Sequence, residues 1–216
     1  DINVLVLAIV TRRFRVPLLW TLLPHRGNSD TAQRIALMKR YLRLFKAASI
    51  DALLADREFI GGEWMEFLLK NNINFAIRLK ADMVLHLENG ALRQFRSLLT
   101  KRRRGRWTGW LSGMEHTPQN LLRIEAKTIK GGELLIIATP AHQTRSALTL
   151  YRKRWGVECL FADAKTRGFN IEDTHITDPK KLKTLLAVLA LALGGAALLP
   201  GRGFLALADM APKLLG

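Results

Sequence analysis

Two nearly continuous apolar runs stand close together near the start of the sequence, residues 2–10 (INVLVLAIV) and 15–23 (RVPLLWTLL), separated by a turn around Thr11-Arg12-Arg13. A strand with one wet face alternates apolar and polar residues. A run that is apolar at both parities must be covered on both faces. These runs therefore predict two neighbouring strands in a sheet with helices to cover it, and that requirement constrains how the rest of the chain is read.

Helices and further strands do follow. The turn Gly27-Asn28-Ser29-Asp30 leads into a helix that runs to about Ala47, and Asp30 with Gln33 three residues on resembles a capping box. Its apolar stripe is expected to be Ile35, Met38, Leu42 and Phe45. Residues 50–55 (IDALLA) predict a short strand that delivers Asp56 at its C-terminal end. Gly61-Gly62 breaks the chain, a short helix carries Trp64, Phe67 and Leu68 on one side, and residues 74–79 predict another strand. Alternating strand and helix is an α/β pattern. From about 81 to 132 the character changes to a β-rich insertion, with antiparallel strands at 106–112 and 121–129. Residues 133–139 (ELLIIAT) return to the main sheet. A long helix is expected from about Ser146 to Arg167 and a second from about Asp178 to Ala197. The resulting division is 1–80 and 133–197 as two parts of one core, 81–132 as the insertion, and 198–216 as an irregular tail.

Charge narrows the partners. Lys and Arg number 34 against 18 Asp and Glu, a formal net charge of +16. That excess favours a polyanion, with nucleic acid first and an acidic membrane surface second. The insertion concentrates it in Lys101-Arg102-Arg103-Arg104 and Arg106, beside Trp107 and Trp110. Such a segment suits tracking or stacking on a nucleic-acid strand, and equally suits a solvated hairpin. A single cysteine, Cys159, excludes an internal disulfide and fits a reducing cytosol. The five histidines stand at no metal-ligand spacing, which argues against zinc. Residues 184–201 carry no charge. They sit at the roughly 18-residue lower threshold for a membrane span, and they read as a buried helix followed by irregular sequence.

The segment most informative about chemistry is Tyr151-Arg152-Lys153-Arg154-Trp155-Gly156-Val157-Glu158, continuing to Lys165. On a helix at about 100° per residue, Tyr151, Arg154, Glu158 and Lys165 fall at roughly 0°, 300°, 340° and 320°. They form one polar strip, while Val157, Leu160, Phe161 and Ala164 face the core. A lone carboxylate among cations could be a metal ligand placed between phosphate grips. The same strip would also suit a solvated basic helix with one Arg154–Glu158 pair at i,i+4. Asp56 has a similar pair of readings. The carboxyl end of a buried strand is where open α/β sheets place active sites, and it is also where a turn needs a cap.

Together these residues resemble a family. The spacing Y-x2-R-x3-E-x6-K, here Tyr151, Arg154, Glu158 and Lys165, is similar to the signature of bacterial insertion-sequence transposases of the DDE type. The segment Asp56-Arg57-Glu58-Phe59-Ile60-Gly61, followed by Trp64, resembles the surroundings of that family's second catalytic aspartate. The resemblance runs over roughly residues 1–195. It implies an RNase H-like fold, a mixed sheet flanked by helices with a β-rich insertion before the glutamate-bearing helix. It further implies Asp56 and Glu158 as catalytic carboxylates holding Mg²⁺ or Mn²⁺. Tyr151, Arg154 and Lys165 would hold transposon-end DNA, with Arg57, Trp155, Arg104, Arg106 and Trp107 as further DNA contacts. A homodimer on DNA, no membrane partner and a cytoplasmic, nucleoid-associated location complete the expectation.

The match is incomplete. The family's first catalytic aspartate belongs to a strand upstream of the segment matching residues 1–10, so Asp1 is not assigned that role. With two carboxylates of three, the isolated chain is expected to cleave DNA little or not at all. The tail from Gly194 reads as frameshifted or degenerate. Alternatives from other classes are a different RNase H-like nuclease, a DNA-binding remnant without catalysis, and a peripheral membrane protein.

Overall fold

A computed structural model describes residues 3–11, 15–25, 27–99, 104–165, 178–194 and 203–210. The chain divides into two compact units, residues 1–51 with 153–216, and residues 52–152.

The first unit is organised around strand β1 (Asn3–Val10), whose residues Val4 to Ala8 are at most 1% exposed. It pairs antiparallel with β2 (Arg15–Leu23), as the two apolar runs predict. The register slips between Leu7 and Ala8, beside Pro17. Proline has no N–H to give a ladder, and an irregularity there accommodates it. On its other edge β1 pairs antiparallel with β10 (Gly203–Met210), from Val4 opposite Met210 to Val10 opposite Phe204.

Strand β10 corrects the expectation of an irregular tail. Its run Phe204-Leu205-Ala206-Leu207-Ala208 is made of good helix formers, which hid it. Eight residues flanked by Gly and Pro are nevertheless strand length, too short for a stable helix. Leu205, Ala206 and Leu207 are at most 2% exposed. Pairing there also satisfies a row of buried β1 backbone groups that could not be left without partners.

Val4, Val6 and Ala8 share one face of β1 and pack with Leu160, Leu182 and Leu186, flanked by Trp20 and Leu22. Leu160 lies on α5 (Trp155–Lys165), and Leu182 and Leu186 lie one turn apart on α6 (Pro179–Gly194). Val157 and Leu160 are buried as the helical spacing predicts, whereas the side chains of Phe161 and Ala164 lie outside the described residues. No helix among the described residues is long and apolar enough to cross a membrane.

Helix α1 (Thr31–Leu44) starts with the expected box: Asp30 accepts from Gln33 N at 2.7 Å, and Gln33 Oε1 accepts from Asp30 N at 2.9 Å. Its buried stripe is Arg34, Leu37, Met38 and Tyr41, so the predicted stripe was rotated, and Phe45 is exposed. The cause is that polar-tipped side chains are buried here with their tips satisfied. Arg34 Nε donates to Ser29 Oγ at 3.1 Å and Nη2 to the Ser29 carbonyl, and the Tyr41 hydroxyl meets Ser49 Oγ at 2.8 Å.

The second unit holds the sheet order β3-β4-β9-β8-β7-β5-β6. Strands β3 (Ile50–Ala55) and β4 (Phe75–Leu79) run parallel, joined by helix α2 (Gly62–Lys70). The other pairings are antiparallel, through β5 (Val84–Leu87), β6 (Leu92–Gln94), β7 (Arg104–Leu111), β8 (Leu122–Thr128) and β9 (Leu134–Pro140). A one-turn helix, α3 (Phe95–Leu98), follows β6. The strands of the β-rich segment thus extend the same sheet edge to edge, through β8 on β9. Helix α4 (Ala147–Tyr151) packs on β4, β8 and β9.

The long helix expected from Ser146 to Arg167 is interrupted. A 3₁₀ turn, Arg152–Arg154, separates α4 from α5. A 3₁₀ turn advances about 120° per residue, so an azimuth computed at 100° does not carry from Tyr151 to Glu158.

At the start of α5 the backbone lies hard against β1: a Cβ on Gly156 would sit 2.2 Å from Val10 Cγ1. We expect Gly156→Ala to cost about 1–3 kcal/mol through overpacking. In urea unfolding, a second substitution, Val10→Ala, should recover most of that loss. A neutral Gly156→Ala would show that helix and strand are not in this contact.

Candidate active site

Asp56 is the first residue after β3 and caps the short 3₁₀ turn Arg57–Phe59. Its Oδ1 accepts from Arg57 N at 2.8 Å and from the Tyr151 hydroxyl at 3.0 Å, with Arg78 Nη1 4.0 Å away. The side chain is 26% exposed. The capping reading is therefore present in the geometry, but a cap does not require a tyrosine from ninety-five positions downstream. Sequence reading gave Tyr151 to phosphate, whereas here its hydroxyl donates to the carboxylate. A phenol O–H aimed at a carboxylate fixes its orientation, as outer partners of metal-ligating carboxylates do.

Glu158 lies on the first turn of α5, in the other unit, and its side chain is 45% exposed. Oε1 accepts from Arg154 Nη1 at 2.6 Å, the i,i+4 pair allowed by the spacing. The Arg154 side chain is 16% exposed, so the pair is partly buried on the arginine side, while the half-exposed Glu158 carboxylate stays open to a ligand. Lys165 ends α5, and its side chain lies outside the described residues. Trp155 opens α5 and is 65% exposed, and Arg57 is exposed. Lys153, which sequence reading did not single out, sits with Nζ 3.6 Å from the centroid of the Phe204 ring. That cation–π contact ties the helix approach to β10.

The expected cluster of arginines and tryptophans on the insertion is sorted by strand parity. Lys101, Arg102 and Arg103 lie outside the described residues, and Arg104 is exposed at the start of β7. Arg104, Arg106, Thr108 and Trp110 share one face. Trp107 is on the other face, half-buried and folded over Gly105, where an added Cβ would meet its ring at 2.0 Å. The tryptophan beside the arginines is Trp110, whose Nε1 donates to the Thr117 carbonyl at 2.8 Å and whose ring stacks on His116 at 5.1 Å.

Two charged residues that sequence reading missed are drawn into the unit. Arg78, on β4 beside Asp56, also pairs with Glu133. Glu125, on β8, is 4% exposed. Arg78 interrupts the otherwise apolar strand FAIRL, and a charge at such a position needs a partner, whereas Glu125 alternates with Arg123 and Lys127 on the polar parity of LRIEAKT and gives no such sign of burial. For Arg78 that was the available signal.

Both carboxylates are accessible hard-oxygen donors of the kind Mg²⁺ and Mn²⁺ prefer. No group of three or more His, Cys, Asp or Glu side chains converges on one point among the described residues. The Tyr151–Asp56 hydrogen bond is checked directly by Tyr151→Phe. The substitution should lower stability by about 0.5–1.5 kcal/mol in urea unfolding, the net worth of one such bond. No change would mean the hydroxyl is equally satisfied by water.

A family model described as a transposase DDE domain matches residues 6–194. No curated protein matches the chain.

Proposed function

The chain belongs to the transposase DDE domain family, and from that premise we propose that Asp56 and Glu158 are two of the carboxylates with which it cleaves and joins DNA at transposon ends. Membership implies a transposition-related nuclease with DNA as its substrate class. The finer reading draws on the Tyr-Arg-Glu-Lys spacing, which resembles one insertion-sequence group. The single observation that carries it is Asp56 at the carboxyl end of β3 with its carboxylate oriented by Tyr151.

Asp56 and Glu158 would hold Mg²⁺ or Mn²⁺, which when bound supplies an activated water or 3′-hydroxyl for in-line attack on a phosphodiester. Tyr151 and Arg57 N would hold Asp56 in one orientation, and Arg154 would keep Glu158 from swinging freely. Arg57, Trp155, Arg104 and Arg106 present charge or an open ring to a DNA backbone or base. A pair of transposon ends calls for two copies of the chain on DNA.

Nicking of supercoiled plasmid tests this reading. Nicking by the isolated chain is expected to be weak, since a third carboxylate is unassigned. The reading predicts that what there is needs Mg²⁺ or Mn²⁺ and falls at least about a hundredfold in Asp56→Asn and in Glu158→Ala, more than loss of an outer partner usually causes. Nicking that survives either substitution, or chelator, overturns the assignment. Strand β10 carries one acidic residue, Asp209, in register opposite Leu5, and Asp209→Asn belongs in the same series. Its loss of nicking would name the source of a third carboxylate. Salt-sensitive DNA binding with no nicking in the unaltered chain would favour a binding role instead.

The sorting of β7 gives a separate expectation. Arg104→Gln should weaken DNA binding and reduce the slope of log K against log salt by about one, the value for one lost phosphate contact. Trp107→Ala should leave that slope unchanged and lower the unfolding midpoint, because its ring packs on Gly105. The opposite pattern would return Trp107 to the DNA-facing surface.

A further inference from the structure

Glu125 is a buried carboxylate in the middle of β8, and burying a charge costs several kcal/mol unless its surroundings compensate. Its Oε1 lies 3.1 Å from Arg106 Nη2, its cross-strand neighbour on β7, and 3.6 Å from Arg123 Nη2, two residues back on the same strand. Its Oε2 accepts from Ser146 Oγ at 2.8 Å and faces Leu148 N at 3.5 Å. Arg123 also donates to the Arg145 carbonyl. One carboxylate thus gathers the residues just before α4 and its first turn.

Helix α4 needs this help. It has five residues, far below the length at which a helix holds itself in water. Ser146 is its N-cap by position, yet the Ser146 side chain makes no capping hydrogen bond. The acceptor at that end comes from Glu125 on the sheet. At the other end of the same helix stands Tyr151, whose hydroxyl donates to Asp56. The distance spanned by α4 is about 7.5 Å at 1.5 Å per residue, so a shift at its start reaches Tyr151 almost undiminished. All of these residues lie within residues 52–152.

We propose that Glu125 is a positioning residue for Asp56, clamping the start of α4 so that Tyr151 holds the Asp56 carboxylate in its metal-binding orientation. The proposal rests on the reading of Asp56 as a metal ligand. Arg106, 66% exposed, links this clamp to the surface. A phosphate that recruits Arg106 would leave Glu125 to Arg123 and Ser146 and so bear on the same helix.

The test is Fe²⁺-directed backbone cleavage, in which Fe²⁺ replaces Mg²⁺ and hydroxyl radicals cut the chain near the bound ion. It reads ligand position without needing catalysis. In the unaltered chain, cuts near residue 56 should appear and be suppressed by excess Mg²⁺. Glu125→Gln should raise the Fe²⁺ concentration needed for those cuts about tenfold, the low end for an outer partner of a metal ligand. Ser146→Ala, a smaller change that guards against a misfolded Glu125 variant, should move it in the same direction. Tyr151→Phe should do so too, and Glu125→Gln combined with Tyr151→Phe should be no worse than the stronger single change. A merely structural role for Glu125 would give independent, additive losses. Unaltered Fe²⁺ dependence in Glu125→Gln and Ser146→Ala, with cuts at residue 56 intact, overturns the clamp and leaves Asp56 a ligand. Absence of cuts near residue 56 in the unaltered chain overturns the Asp56 reading itself.

Discussion

Strand β1 imposes the strictest demand in the first unit. With Val4 to Ala8 at most 1% exposed, neither of its faces and neither of its edges can meet water. Backbone groups buried in this way must be paired. The chain meets the demand with β2 on one edge, β10 on the other, and α5 with α6 over the face of Val4, Val6 and Ala8. Glu158 takes its place from that arrangement. It rides on a helix pressed so close to β1 that only glycine fits at residue 156.

The second unit solves a different problem, how to hold a carboxylate at a strand end in one orientation. Asp56 leaves β3 at its carboxyl end, and the βαβ step through α2 to β4 makes that end a natural site for chemistry. A strand end alone does not orient a side chain. The hydroxyl of Tyr151 does, and Tyr151 is delivered by a helix too short to place itself. Buried charge on β8 therefore matters to a residue several strands away. The basic face of β7 enters the same network through Arg106, so the DNA contact proposed for Arg106 and the carboxylate geometry would share a side chain.

Much of this was legible in the sequence, for identifiable reasons. Runs apolar at both parities gave β1 and β2 almost to the residue, Asp30 and Gln33 gave the start of α1, and the strand before Asp56 was set by IDALLA. What escaped detection depended on partners distant in sequence. The stripe of α1 was misread because Arg34 and Tyr41 are buried through hydrogen bonds that an apolar count ignores. Strand β10 was hidden by helix-favouring Leu and Ala and exists because β1 offers an edge. The polar strip from Tyr151 to Lys165 assumed one continuous helix, and the 3₁₀ turn at 152–154 breaks it. Of the candidate site, the residue types were legible, but the Tyr151–Asp56 and Arg106–Glu125 pairings were not, since each joins elements that only the fold brings together.

The central claim, proposed from family membership, is that Asp56 and Glu158 are metal-binding carboxylates. Its most direct measurement is Mn²⁺ binding followed by electron paramagnetic resonance in the unaltered chain, in Asp56→Asn and in Glu158→Gln. The account predicts Mn²⁺ that Mg²⁺ displaces, with affinity lowered at least about tenfold by each substitution. Equal Mn²⁺ affinity in all three proteins would contradict it.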